Sequence, residues 1–437
     1  MAESPIVTTR SRPLSKVLAP LRDFLHTEAA GGMLLLAATV VALVWANSPW
    51  QHSYDHFWHS TIALDVAGHE LRLSLQHWVN DGLMTIFFLV VGLEIKREVT
   101  SGHLAGLRAA TLPVVAAVGG MVAPAILYLV IAGGSHAHGW GVPMATDIAL
   151  AVGVMALVGA AAPPSLRAFL LGLAVVDDIG AIVVIAVFYS SGVSFAWLAG
   201  AVAAVGLTVV LRRLGIYQTP AYVAVGVFMW FAMHEAGIHP TLAGVAMGLL
   251  APVSARLSPE FVDAEELADV GTFESARTTV HLARSSVSTV EWLEHHLHPA
   301  TSYVIVPLFA LANAGITISS TAVTHALHSP ITWGIVVGLV VGKPAGVMVA
   351  SRLAIRAGRA DAPADTDGRH LLGAGQAAGI GFTVALFIAE LAFRNDDGSA
   401  NLVDGTDAKM AILAASLVSG LLAYAVLRRR MPAQSPA

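Results

Sequence analysis

The chain has 437 residues, 56% hydrophobic and 12% charged, with a mean hydropathy of +0.71. Soluble domains carry about 25% charged residues, so half of the usual water-facing complement is missing and the chain reads as an integral membrane protein. It has no cysteine, which excludes disulfide scaffolds and thiolate sites, and its net charge of -5 gives no basis for a nucleic-acid partner.

Residues 1–28 are polar and basic (Arg10, Arg12, Lys16, Arg22) and read as a cytoplasmic N-terminal segment. The apolar run from Ala29 to about Ser48 is too long for the core of a cleaved signal peptide, so it is read as the first span. Further apolar windows follow at 73–93, 109–133, 141–159, 166–189, 195–211, 220–234, 239–253, 299–318, 331–350, 371–389 and 410–427. The prediction is an all-α polytopic membrane domain of twelve transmembrane helices over residues 29–430, followed by a cytoplasmic tail at 431–437. Residues 49–76 make the longest loop on the outer side, and residues 62–75 alternate apolar with polar around Gly68, which predicts a β-hairpin and a candidate contact in a homodimer. Residues 254–298 read as a solvated cytoplasmic connector that turns helical near 290–296.

Orientation follows from the basic residues. Of the 24 Lys and Arg, Lys343 lies inside a span, Arg72, Arg394 and Lys409 lie on one side, and the other twenty lie on the opposite side or in the tails. Cytoplasmic loops are enriched in Lys and Arg, so both termini are expected in the cytoplasm.

Charges inside apolar windows carry the functional signal. A charge at a helix centre costs ~2.5–3.5 kcal/mol on insertion scales, and such residues mark transport or pairing. The fifth window holds Asp177 and Asp178 side by side, about 100° apart on a helix, so one can face a cavity while the other faces a neighbouring helix. The tenth holds Lys343, which needs a carboxylate partner or must lose its proton; either aspartate is a candidate. The fourth is interrupted at Pro143-Met144-Ala145-Thr146-Asp147 and the eleventh by Gly373, Gly375, Gly379 and Gly381. The stretch Gly373-Ala374-Gly375-Gln376-Ala377-Ala378 has the form of a dinucleotide fingerprint, but no strand precedes it. Two interrupted spans far apart in the chain suggest inverted repeats whose broken helices cross, with Asp147 set to neutralise the N-terminal dipole ends and Lys343 the C-terminal ones.

The segments Ala145-Thr146-Asp147-Ile148-Ala149, Val176-Asp177-Asp178-Ile179-Gly180-Ala181, Pro307 to Gly315, Gly342-Lys343-Pro344 and Gly379-Ile380-Gly381-Phe382-Thr383 together resemble the NhaA family of bacterial sodium/proton antiporters, over residues 22–430. That resemblance implies Na+ or Li+ and H+ as substrates, no cofactor, and a place in the bacterial inner membrane. It implies Asp178 as a direct cation ligand, Asp177 as a partner in cation or proton binding, and Thr146, Asp147 and Lys343 as the broken-helix residues, with Lys343 pairing to Asp177. It also implies pH sensing at Glu94, Arg97, Glu98, Glu294, His295 and His298, with His239 near the opposite end of a helix. The stretch 254–291 ahead of the last three departs from the family pattern. The expected activity is electrogenic, pH-regulated exchange. An intramembrane aspartyl protease, which needs two facing acids, and a passive cation channel are the alternatives.

Overall fold

In the computed structural model, which describes residues 30–66, 69–102, 104–190, 192–216, 218–253, 287–394 and 401–428, the predicted windows fall on helices. Helix α1 (Ala30–Ala46) bends by 114° into α2 (Gln51–His59), an amphipathic surface helix that buries Tyr54 and Trp58. Strands β1 (Thr61–Val66) and β2 (His69–Ser74) then pair antiparallel, Ile62 opposite Leu73 and Asp65 opposite Glu70, within the loop where the alternation around Gly68 lies.

The bundle continues through α3 (Leu75–Thr100), α4 (Leu107–Ala132), a 3-10 segment (Gly134–Met144), α5 (Ile148–Val158), α6 (Pro164–Phe188), α7 (Phe195–Arg213), α8 (Thr219–Glu235) and α9 (Thr241–Leu250). After the connector come α10 (289–313), α11 (Ser320–His328), α12 (Pro330–Arg356), α13 (Gly368–Ala378), α14 (Phe382–Ala392) and α15 (Leu402–Arg428). Six of these helices, α3, α4, α6, α7, α12 and α15, are singly long and apolar enough to cross a membrane. Two bent pairs are long and apolar enough only when taken together: the 3-10 segment with α5, bent by 49°, and α13 with α14, bent by 46°. On α4, Val118, Val122, Ile126 and Val130 are 48–76% exposed at i+4 spacing, a single apolar stripe suited to lipid.

Several boundaries differ from the sequence reading, α3 running seven residues past its window to Thr100 and the fourth window's helix starting seven residues early at Gly134. The ninth window, 299–318, is displaced: α10 begins at Thr289, where Ser288 Oγ accepts the Glu291 amide, and ends at Asn313. The eighth shrinks to Thr241–Leu250. The twelfth begins eight residues early, at Leu402, because Asp404, Asp407 and Lys409 all have side-chain partners there and the helix keeps its polar start. Residues 1–28, residues 254–286 of the connector and the tail 431–437 lie outside the described residues.

Close helix approach sets the position of the central charges. A Cβ added at Gly346 on α12 would fall 2.1 Å from the Gly119 carbonyl of α4, so only glycine allows these two backbones to meet. This contact lies one turn from Lys343 and holds its stem against Gly120.

Candidate functional site

The two breaks touch. Asp147 is the N-cap of α5, its Oδ1 accepting the Leu150 amide at 3.0 Å. Its Oδ2 accepts the Thr383 amide at 3.1 Å and the Thr383 hydroxyl at 2.6 Å, in the first turn of α14. One buried carboxylate therefore serves the N-termini of two half-helices, where donors are unpaired and the macrodipole is positive. The Asp147 amide donates to Ile380 O at 2.6 Å, and the Thr146 hydroxyl lies 2.9 Å from Ala378 O at the end of α13.

Beside this crossing sits the ion pair. Lys343, wholly buried, has its Nζ 2.5 Å from Asp177 Oδ2 and also donates to Met144 O, the end of the 3-10 segment. Thr146 Oγ1 is 2.5 Å from the same Asp177 oxygen. Oδ2 thus faces the Lys343 ammonium and the Thr146 hydroxyl, whose one proton is shared between it and Ala378 O, whereas Oδ1, equally buried, has no donor. Asp178, 5% exposed, makes no hydrogen bond among the described residues. A buried polar atom without a partner costs ~1–3 kcal/mol, so a carboxylate oxygen left in this state marks a place for an ion or water.

The residues singled out in the sequence fall into three places. Thr146, Asp147, Asp177, Asp178 and Lys343 gather at the crossing. Lys343 takes Asp177 as its partner, and it serves only one of the two C-terminal ends assigned to it, because Thr146 occupies the other at Ala378 O. At the end of the bundle formed by α3 and α10, Arg97 Nη1 meets Glu294 Oε1 at 2.5 Å, with Glu94, Glu98 and His298 near enough to feel their charges. His295 does not join them: it is exposed and lies edge-on to His296, since the helix turns it away from Glu294. His239 is at the opposite end, its Nδ1 2.7 Å from Thr241 Oγ1 and its Nε2 3.6 Å from Asp81 Oδ1.

Asp81 and the Glu390–Lys409 pair were missed in the sequence. Asp81 stood in plain view within the window 73–93, a carboxylate in an apolar run; here it sits in a π turn (Trp78–Leu83). Glu390 lies one residue past its window, and nothing in the sequence pairs it with Lys409.

Residues 22–427 match the Na+/H+ antiporter 1 family. The chain belongs to the Na+/H+ antiporter 1 family. Among relatives, Na(+)/H(+) antiporter NhaA 2 of Myxococcus xanthus is 47% identical, the match covering 94% of this chain and 89% of that protein. Na(+)/H(+) antiporter NhaA of Rhodopirellula baltica is 44% identical over 96% of each chain. The solved sodium proton antiporter MjNhaP1 of Methanocaldococcus jannaschii shares the fold, with a TM-score of 0.51, covering 95% of this chain and 94% of its own at 13% identity. As a member of the Na+/H+ antiporter 1 family the chain is a multi-pass membrane transporter of the bacterial inner membrane, not an enzyme.

Proposed function

We propose that the chain exports cytoplasmic Na+ or Li+ in exchange for external H+ by alternating access to one site at the crossing. The observation that carries this reading is the free, buried Oδ1 of Asp177 beside an Asp178 without a protein partner. Carboxylate and carbonyl oxygens suit a hard monovalent ion. Asp178 is the direct ligand in this scheme and Asp177 shares the cation or carries a proton. Cation and protons compete for the same oxygens, and that competition is the coupling. Thr146, Asp147 and Lys343 hold the broken helices around the site.

Exchange is electrogenic in this reading, two protons moving against one cation. The second proton is carried by Asp177 or by Lys343. A membrane potential of 100 mV then contributes ~2.3 kcal/mol per net charge to cation export. Glu94, Arg97, Glu98, Glu294, His295 and His298 at the cytoplasmic mouth, with His239 at the far end, are proposed to regulate exchange by pH. The domain 29–430 crosses twelve times as inverted repeats with both termini inside, and the hairpin of residues 49–76 is the dimer contact.

The protease alternative loses its partner acid. Asp147 is the candidate to face the Asp177–Asp178 pair, yet both its oxygens are committed to backbone and hydroxyl donors. A channel would pass Na+ without proton movement. In inside-out vesicles with a preformed ΔpH, Na+ or Li+ is expected to dissipate the gradient; no response to Na+, Li+ or K+ rejects antiport, and Na+ flux without a proton response identifies a channel.

Topology has its own test, made simple by the cysteine-free background. Single cysteines at the exposed positions His52 or Phe57 are expected to label from outside intact cells, and one at the exposed Val287 only after permeabilisation. The reverse pattern at either position removes the proposed orientation.

A further inference from the structure

The first two turns of α15 carry three charged residues, and each joins a different element. Lys409 Nζ lies 3.1 Å from Glu390 Oε2 on α14, both side chains less than one-fifth exposed. Asp404 Oδ2 lies 3.5 Å from His136 Nδ1 at the start of the 3-10 segment. Asp407, buried, has its two oxygens 3.0 and 3.2 Å from His325 Nδ1 on α11. Two of these partners sit on the halves of the broken spans that lead to the crossing. Glu390 is seven residues, about 10 Å of helix, from Thr383, which holds Asp147. His136 begins the segment that ends at Met144, which holds Lys343.

We propose that the start of α15 is a clamp on both broken spans, with Glu390 and Lys409 as positioning residues that stabilise the state in which the site is closed to the outside. This rests on the antiport reading and on the orientation that puts this end of the bundle outside. The physical warrant is connectivity. Residues 382–389 of α14 are buried without interruption, so the helix transmits displacement of its outer end to the Thr383–Asp147 contact as a rod. A charge pair at partial burial is a stronger tie than one in water, and it can be released without unfolding either helix. Opening to the outside then requires the outer ends of α14 and the 3-10 segment to leave α15.

The test uses the sidedness of transport. Weakening the clamp with Glu390→Gln or Lys409→Met shifts the population toward the outward-open state. The apparent KM for Na+ measured from the cytoplasmic face is expected to rise about three- to tenfold, and that measured from the outer face to fall by a similar factor. The charge-swapped double variant Glu390→Lys/Lys409→Glu is expected to restore both values to within about twofold of the parent. A merely structural role predicts parallel worsening on both faces; that result, or no change on either, overturns the clamp. Should the Glu390 and Lys409 variants fail to fold, His136→Gln and Asp404→Asn on the other arm carry the same expectation. A readout independent of transport is a single cysteine replacing the buried Leu386, which is expected to react faster with an impermeant thiol reagent from outside when Lys409 is Met. A parent without Na+-dependent ΔpH response would instead fail the antiport reading itself.

Discussion

Asp178→Asn is expected to remove Na+-dependent ΔpH dissipation completely, to the level of vesicles lacking the protein. Asparagine keeps the shape and one oxygen acceptor but has neither a charge for the cation nor an exchangeable acid proton. Because Asp178 has no protein hydrogen bond to lose, the substitution leaves the fold intact, with a melting temperature in detergent within a few degrees of the parent. Loss of transport with unchanged melting is therefore the expected pair of results. Normal exchange by this variant would move the binding site elsewhere.

Lys343→Ala has the larger structural effect. It strips the buried Asp177 carboxylate of its counter-charge and Met144 O of its donor. Removing one partner of a buried pair costs about 3–5 kcal/mol, because the remaining charge stays uncompensated. A clear fall in melting temperature follows. Replacing Asp177 as well, in Lys343→Ala/Asp177→Asn, is expected to recover part of the loss, since no bare charge is then left; a double variant no more stable than the single one would mean that the lysine acts by packing alone. Current on a solid-supported membrane separates the two proton routes. Residual exchange by Lys343→Ala that remains electrogenic places both protons on the aspartates, and electroneutral residual exchange places one on the lysine.

How much of this was legible in the sequence depended on whether a residue's environment is local. Hydropathy located the helices, and the alternation around Gly68 located the strands, because both patterns are set by neighbours in the chain. The interruptions at 145–147 and 379–381 were visible for the same reason: proline, glycine and a capping aspartate break helices locally. What could not be read was commitment between distant residues. By helix geometry alone Lys343 had two candidates one residue apart, between which only the family resemblance favoured Asp177; the rotation of α6 against α12 makes that pair. The start of α15 was cut from its span because Asp404, Asp407 and Lys409 look like loop residues until Glu390, His136 and His325 are brought to them. His295 is adjacent to Glu294 in sequence, yet the helix turns it to the exposed face beside His296, a separation that adjacency alone does not reveal.

Sharing Asp147 between α5 and α14 restricts how the protein can move. Separating α14 from α5, which carries Asp147 as its N-cap, would strand the Thr383 amide and hydroxyl, two buried donors that have no water to take them, while Leu150 N keeps the other oxygen. The half-helices must then travel as one body, riveted at that carboxylate. Sliding has to happen along surfaces that carry no such rivet, where glycine and alanine faces pass each other, and the distance between labels on Leu150 and Thr383 flanks stays constant while distances from either to α3 change through the cycle.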